Sequence, residues 1–183
     1  MQILEIGRLD DPQLVSLLDV PLVAWARQSL DMGLKPLPKK KDKKYPAIAW
    51  EEYQDRFPDR DELPELFARP DIDGVCVVLD NTDYVVIDCD GPRERARRLL
   101  AEAGIEIPNL CPRVITGRDR DHFYLRTARP VGRRVGLLRA EGVSIDLLGE
   151  GVVVVPPSPH PETGVAYHWQ PPILGTVDGP YAS

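Results

Sequence analysis

Val85-Val86-Ile87-Asp88-Cys89-Asp90-Gly91 is an apolar run that closes on two aspartates and a glycine. The run reads as a buried strand, since β-branched residues suit a pleated backbone. Side chains alternate along a strand, so Asp88 and Asp90 point to the same face. Two carboxylates held that close repel unless a proton or a cation lies between them. A divalent metal is the usual solution, and Mg²⁺ takes carboxylate oxygens together with water and phosphate. The plainer alternative is a turn aspartate plus a helix N-cap, because Gly91-Pro92 opens a helix that Gly104 stops.

A second run, Val143-Ser144-Ile145-Asp146-Leu147-Leu148, carries one aspartate among apolar neighbours. Alternation puts Val143, Ile145 and Leu147 on one face and Ser144, Asp146 and Leu148 on the other. An acid there needs a partner to offset its desolvation. If this strand lies beside the first, three carboxylates converge, an arrangement that suits two-metal phosphoryl transfer. A salt bridge to one of the many arginines is the alternative.

Other elements extend both ways. Residues 21–32 have helical apolar spacing with Gly33 at the stop, and an extended piece follows over 34–38. A second helix is expected over 61–68 and strands over 74–79, 84–88, 113–116, 122–126, 143–148, 152–155 and 165–169. Residues 1–20 read as a polar lead-in with a short apolar stretch. Strands and helices mix without a regular βαβ beat, which favours an α+β class.

The composition is that of a globular protein. With 183 residues the chain suits one sizeable domain, and 28% charged against 43% hydrophobic residues argue against disorder, collagen or a disulfide scaffold. Apolar runs such as the one over residues 151–155 are too short to span a bilayer. Glu5, Asp10 and Asp11 do not read as a signal peptide. Cys76, Cys89 and Cys111 form no CxxC pair, so a reduced, cytoplasmic setting is expected and a cysteine zinc site is not.

The net charge of −6 hides a sorting of the basic residues. All six lysines lie between Lys35 and Lys44, and arginines crowd residues 93–98 and 113–139. A solvated loop is the ordinary reading of such a lysine run. Two further stretches could carry chemistry. In Thr116-Gly117-Arg118-Asp119-Arg120-Asp121-His122, a polar turn leads to a histidine at a strand start, with Gly117 and Arg118 suited to phosphate. Val155-Pro156-Pro157-Ser158-Pro159-His160 is a rigid segment ahead of Thr163-Gly164 and Tyr167-His168-Trp169.

Taken in order, these residues resemble the bifunctional primase–polymerase domain of the archaeo-eukaryotic primase superfamily. The matching pieces are Gly33 to Pro38, Lys44-Tyr45-Pro46 with Trp50, Asp88-Cys89-Asp90, Gly117 with His122, Ile145-Asp146, Pro156-Pro157-Ser158, and Gly164 to Trp169. No one of them is specific, but seven in the right order are. The resemblance implies an α+β fold: a mixed or antiparallel central sheet with flanking helices, an RRM-like catalytic half and an N-terminal α/β half. It implies a single catalytic domain over 1–183 with its core at about 20–170. The sequence stops soon after Trp169, so either a stand-alone polymerase or an excised catalytic domain is expected.

The resemblance further implies that Asp88, Asp90 and Asp146 are catalytic and hold two Mg²⁺ or Mn²⁺ ions for template-directed nucleotidyl transfer. His122, Arg118, Ser158 and Lys44 would bind the nucleotide, and Lys39, Lys40, Lys41 and Lys43 the DNA. Asp121 adds negative charge where a triphosphate is expected. The implied partners are single-stranded DNA template and primer, NTP or dNTP, and a helicase or other replication protein, with no membrane. A metal-dependent nuclease or phosphodiesterase also needs clustered acids, but leaves the lysine loop and Pro-Pro-Ser segment unexplained. A catalytically silent nucleotide- or DNA-binding module is the third reading, and the three aspartates weigh against it.

Overall fold

The computed structural model describes residues 20–170; the lead-in over 1–19 and the last thirteen residues lie outside the described residues. The elements in order are α1 (Leu22–Asp31), β1 (Lys35–Lys40), a 3₁₀ turn (Glu51–Gln54), α2 (Leu63–Leu66), β2 (Ile72–Val78), β3 (Tyr84–Asp90), α3 (Arg93–Glu102), β4 (Arg113–Ile115), β5 (Asp121–Arg126), β6 (Arg134–Ala140), β7 (Val143–Leu148), β8 (Val152–Val155) and β9 (His168–Gln170). They form a three-stranded sheet, β1-β2-β8, and a six-stranded sheet, β6-β7-β3-β5-β4-β9. Every strand pair is antiparallel. The α+β expectation holds in this form.

Both long helices end as their glycines predict. After α1, Gly33 N–H donates to Leu30 O and Leu34 N–H to Ser29 O; after α3, Gly104 N–H donates to Ala101 O and Ile105 N–H to Leu100 O. The paired bonds satisfy carbonyls that a helix end leaves open, and both glycines have positive φ, which side chains disfavour. Pro92 is the N-cap of α3, and no side chain caps that helix. Asp90 is therefore not an N-cap, and the plainer reading of the second aspartate fails.

Three apolar layers follow from strand alternation. Val75, Val77, Val153 and Val155 of the small sheet face Val86, Val114, Tyr124 and Trp169 of the large one, with Leu22 and Trp25 of α1 alongside. On the other side of the large sheet, Ile87, Cys89, Phe123 and Ile145 pack on Ala96 and Leu100 of α3. The outer face of the small sheet is covered by Ile48, Trp50, Tyr53 and Leu66. Burying each such side chain contributes about 1.5–3 kcal/mol, which makes the alternation strongly binding on register. The three cysteines are buried and free.

Some expectations need revising. The helix expected over 61–68 shrinks to the four residues of α2; Pro64, at its second position, has no N–H to bond to an earlier turn, which bars a start further upstream. β9 begins three residues later than the 165–169 expectation. β6 was not expected: Arg133-Arg134-Val135-Gly136 carries no clean alternation, and the strand is largely exposed. Between Arg134 and Leu138 it bulges, four residues advancing against two on β7, from Leu147 to Ile145.

The Pro-Pro-Ser segment is anchored by its serine. Ser158 Oγ accepts from Val75 N–H at 2.8 Å and donates to Val75 O at 2.7 Å, in full burial. Gly74 leaves room for this, because a Cβ there would collide with Ser158. Ser158 O in turn accepts from Tyr167 N–H at 2.8 Å. Ser158→Ala should lower the unfolding free energy by about 2 kcal/mol, since both Val75 groups lose a partner in a dry setting. Urea unfolding should show the midpoint falling with an unchanged slope.

Candidate active site

Asp88 stands on the middle of the large sheet. In register it faces Asp146 of β7 on one side and His122 of β5 on the other. Residues directly opposite across antiparallel strands share a face, so Asp146, Asp88 and His122 form one row. One step back is the apolar row Leu148, Val86 and Tyr124; one step on, Asp90 faces Ser144. The face that begins as inter-sheet core thus turns polar two residues from its end.

His122 Nε2 lies 3.2 Å from Asp88 Oδ1, and His122 is nearly buried. Its Nδ1 is buried and has no hydrogen-bond partner among the described residues. Burial pushes the Asp88 carboxyl up, but the His122 imidazole, with the charges of Lys44 and Arg133, outweighs it and holds the carboxyl below its ordinary range. Asp146 is half-buried, and its Oδ1 accepts from Gly136 N–H at 2.7 Å in the β6 bulge. The unexpected strand therefore supplies the partner that Asp146 needs, in place of an arginine. Asp90 is exposed and, among the described residues, makes no ion pair.

The donor chemistry fits a hard cation: three carboxylates on one face, with Asp88 Oδ2, Asp146 Oδ2 and all of Asp90 uncommitted among the described residues. The side chains are not drawn into a tight cluster. Among the described residues, no group of three or more His, Cys, Asp and Glu is gathered closely enough to grip an ion. Asp88 bonds toward β5 and Asp146 toward β6, each away from the other, as repelling carboxylates do.

Around the row stand residues that the first reading did not assign. Tyr167 makes an edge contact with His122, ring centres 6.1 Å apart, and stacks on His160 at 6.0 Å. Burial pushes the Tyr167 hydroxyl up to about 12, with Asp88 adding to it. Tyr124, beneath the row, is buried with its hydroxyl unpartnered among the described residues, and burial followed by Asp88 and Tyr167 raises its pKa strongly. His160 is buried, and its pKa is lowered by burial, then by Lys44, Arg118 and Lys39. Its Nδ1 accepts from Glu162 N–H at 3.2 Å. The signal for Tyr167 and His160 was the Pro-His and Gly-x-x-Tyr spacing, which gives order but no direction in space.

The expected ligands divide. Lys44 is exposed, and its charge reaches both Asp88 and His160. Arg118 is exposed, its charge reaches His160 and Tyr167, and it pairs with Glu162. Ser158 is buried, with its hydroxyl engaged by Val75. Lys40, Lys41 and Lys43 are exposed. Lys39 corrects the expectation of a uniform DNA-binding run: it is 0% exposed, ion-pairs with Asp73 and donates to Lys43 O at 3.0 Å. Asp73 also accepts from Asp42 N–H at 3.0 Å, so this lysine cinches the turn that its neighbours project from.

Asp121 corrects another expectation. It is the residue before His122, so alternation sends it to the opposite face, where it is 0% exposed. There Arg93 and Arg97 of α3 and Arg113 of β4 approach it at 3.2, 3.0 and 3.8 Å. Asp119 also pairs with Arg93, at 3.0 Å. The acids of the turn are thus spent on α3 and put no charge into the row.

The sheet face thus holds Asp146, Asp88 and His122 in one row with Asp90 in the next, and the charges of Lys44 and Arg133 reach Asp88 from the turns beside it. The family model for the bifunctional DNA primase/polymerase, N-terminal, matches residues 20–179, and the chain belongs to this family. Membership makes it a nucleotidyltransferase-type enzyme of the DNA primase/polymerase class. No curated protein matches the chain. Among the described residues, no helix is long and apolar enough to cross a membrane.

The Asp88 balance can be tested directly. In His122→Ala the burial of Asp88 remains while its main counterweight is gone, so the carboxyl should titrate higher. Carbon-detected NMR of the Asp88 side chain should report the rise; an unchanged value would mean His122 does not govern it. Because the native pKa is depressed, the stabilisation is complete above about pH 5 and is lost as pH falls below the ordinary value near 4 through the lower native one. The variant should lose this acid-limb gain.

Proposed function

We propose that this chain is the catalytic domain of a DNA-dependent primase/polymerase that performs template-directed nucleotidyl transfer, in primer synthesis, primer extension or both. The observation that carries the reading is Asp88 between His122 and Asp146, with Asp90 beyond it on the same face, in a chain of this family. The core over about 20–170 acts as a single catalytic domain, the large sheet with α3 serving as the RRM-like half and the small sheet with α1 as the other. A helicase or another replication protein as partner is carried by the resemblance alone.

Asp88, Asp90 and Asp146 are the residues that would hold Mg²⁺ or Mn²⁺, which when bound neutralise phosphate charge and make a hydroxyl a better nucleophile. Each protein group then has a task. Asp88 is kept ionised by its cationic surroundings, so a ligand oxygen is ready at neutral pH. Asp146 is aimed by the Gly136 amide, and Asp90 is free to swing. Lys44 and Arg118 bind the triphosphate from the side of His122 and His160, Arg118 releasing Glu162 to do so. Ser158 acts by positioning, because it ties the segment before Tyr167 to β2. Positioning and charge neutralisation supply most of the rate enhancement in such a centre.

Asp88→Asn should cut nucleotide incorporation by about a hundredfold or more while circular dichroism stays unchanged. The assay is extension of a labelled primer and de novo synthesis on single-stranded DNA, with NTP and dNTP, in Mg²⁺ and in Mn²⁺. Shortening of the primer instead of growth would support the nuclease reading; binding without either would support the silent module.

The lysine turn gives a second test. Neutralising Lys40, Lys41 and Lys43 should weaken DNA binding and flatten its salt dependence by about one unit of slope per lost phosphate contact. Lys44→Ala should raise the nucleotide KM with little change in DNA affinity. Equal salt slopes for wild type and the triple variant would leave the turn as a solvated loop.

A further inference from the structure

Ion pairing sorts the arginines of this protein. From Arg56 to Arg126 most of them meet a carboxylate. Among the described residues Arg27, Arg95, Arg98, Arg120 and Arg129 make no ion pair. Neither do Arg133, just before β6, or Arg134 and Arg139, on β6, the three that stand beside the carboxylate row's outer flank. The register divides these three. Arg134 is opposite Leu147, which packs with the α3 layer, so it points to the face away from the site. Arg139 is opposite Ser144, and Ser144 is opposite Asp90. Arg139, Ser144 and Asp90 therefore form a row on the carboxylate face, next to the row of Asp146, Asp88 and His122.

The guanidinium of Arg139 lies back over Gly136, where a Cβ would collide with it. Gly136 is the residue whose amide holds Asp146, so the charge stands at the flank of that carboxylate. Arg133 runs past the β7–β8 turn, its guanidinium within 3.9 Å of a Cβ placed on Gly151, and its charge reaches Asp88. The acids at hand are Asp146, Asp90 and, beside Gly132, Glu150. None of them ion-pairs with either arginine. β6 is an edge strand, so among the described residues no strand pairs with its outer side, whereas the stacked His160 and Tyr167 stand on the side of His122.

We infer that Arg133 and Arg139 form a second phosphate-binding wall, on the β6 side of the carboxylate row, that grips the sugar-phosphate backbone of a nucleic-acid strand. The inference rests on the primase/polymerase reading and names the strand-binding part of that site. A triphosphate is already met by Lys44 and Arg118 across the row, whereas a polymer must run past the acids and needs cations on the other side to offset their repulsion. Arginine suits the task, since its fork meets two oxygens of one phosphate. On an open edge, the strand can continue in either direction.

The test uses Arg133→Ala/Arg139→Ala beside Arg133→Lys/Arg139→Lys. Fluorescence anisotropy with labelled single-stranded DNA and with a primer–template, across a salt series, reads strand affinity; primer extension reads nucleotide KM. The alanine pair should flatten the log–log salt slope by about 1.4 units, about 0.7 for each lost contact on a single strand. Because the Arg133 charge also reaches Asp88, the test is the split: strand affinity should fall by a larger factor than nucleotide KM rises. The lysine pair, which keeps both charges, should keep most of the slope. An unchanged slope in a wild type that binds and extends DNA would overturn this inference alone. A raised nucleotide KM with unchanged DNA affinity would reassign the wall to the triphosphate and also overturn it. A wild type that neither binds DNA nor extends a primer would remove the functional reading, and this inference with it. Circular dichroism and the lysine pair guard against loss of fold.

Discussion

Asp88 is a largely buried carboxylate on the central strand of a sheet, and a buried charge must be compensated or it protonates. Here the compensation comes from His122 at 3.2 Å and from the charges of Lys44 and Arg133. These groups come from β5, from the turn after β1 and from the lead into β6, so the ionised state of one side chain depends on three separate parts of the chain. The pairing of β3 with both β5 and β7 is the constraint underneath. A slip of one residue would carry Asp88 to the α3 side and place Ile87 or Cys89 in the row.

The same alternation separates two charge systems that are neighbours in sequence. Asp121 and His122 are adjacent, yet one is clasped by Arg93, Arg97 and Arg113 and the other meets Asp88. A buried carboxylate with three guanidiniums contributes little net stability over apolar packing, but breaking it costs several kcal/mol. Its position suggests what it does achieve: it pins the start of β5 to α3. That start is the point from which His122 is presented on the opposite face.

Much of this was legible because strands have period two. Placing Asp88 with Asp90, and Asp146 with Leu148 against Ile145, needed only alternation, and the register bears out both. Strand adjacency was a conditional expectation, and pairing of β3 with β7 meets it. What stayed hidden lacked a local pattern. β6 is an exposed, bulged edge rich in arginine and glycine, so no apolar rhythm announces it, and with it went the partner of Asp146. Lys39 looks like its neighbours in a lysine run; only the arrival of Asp73 from β2 shows it to be buried. Ser158 reads as a ligand from motif order alone, whereas its geometry is that of a clamp.

The division of labour between the two basic residue types follows the same logic. Arginine meets most of the paired acids, at Arg56, Arg93, Arg97 and Arg126 among others, and its planar fork suits a partner that does not move. Lysine is confined to β1 and the turn after it, and there it splits again. Lys35 is buried, donates to Gln54 O and Asp80 O at 2.7 Å each, and has its pKa lowered chiefly by that burial. Lys39 is buried against Asp73, and the rest stand in water. The two buried lysines flank Leu37 on the face covered by the 3₁₀ segment, so they fix the strand from which the exposed ones project. A turn built in this way has an anchored backbone and exposed ammonium groups, of which the charge of Lys44 reaches Asp88. In the proposed function, that combination suits phosphates whose positions change from one step of synthesis to the next.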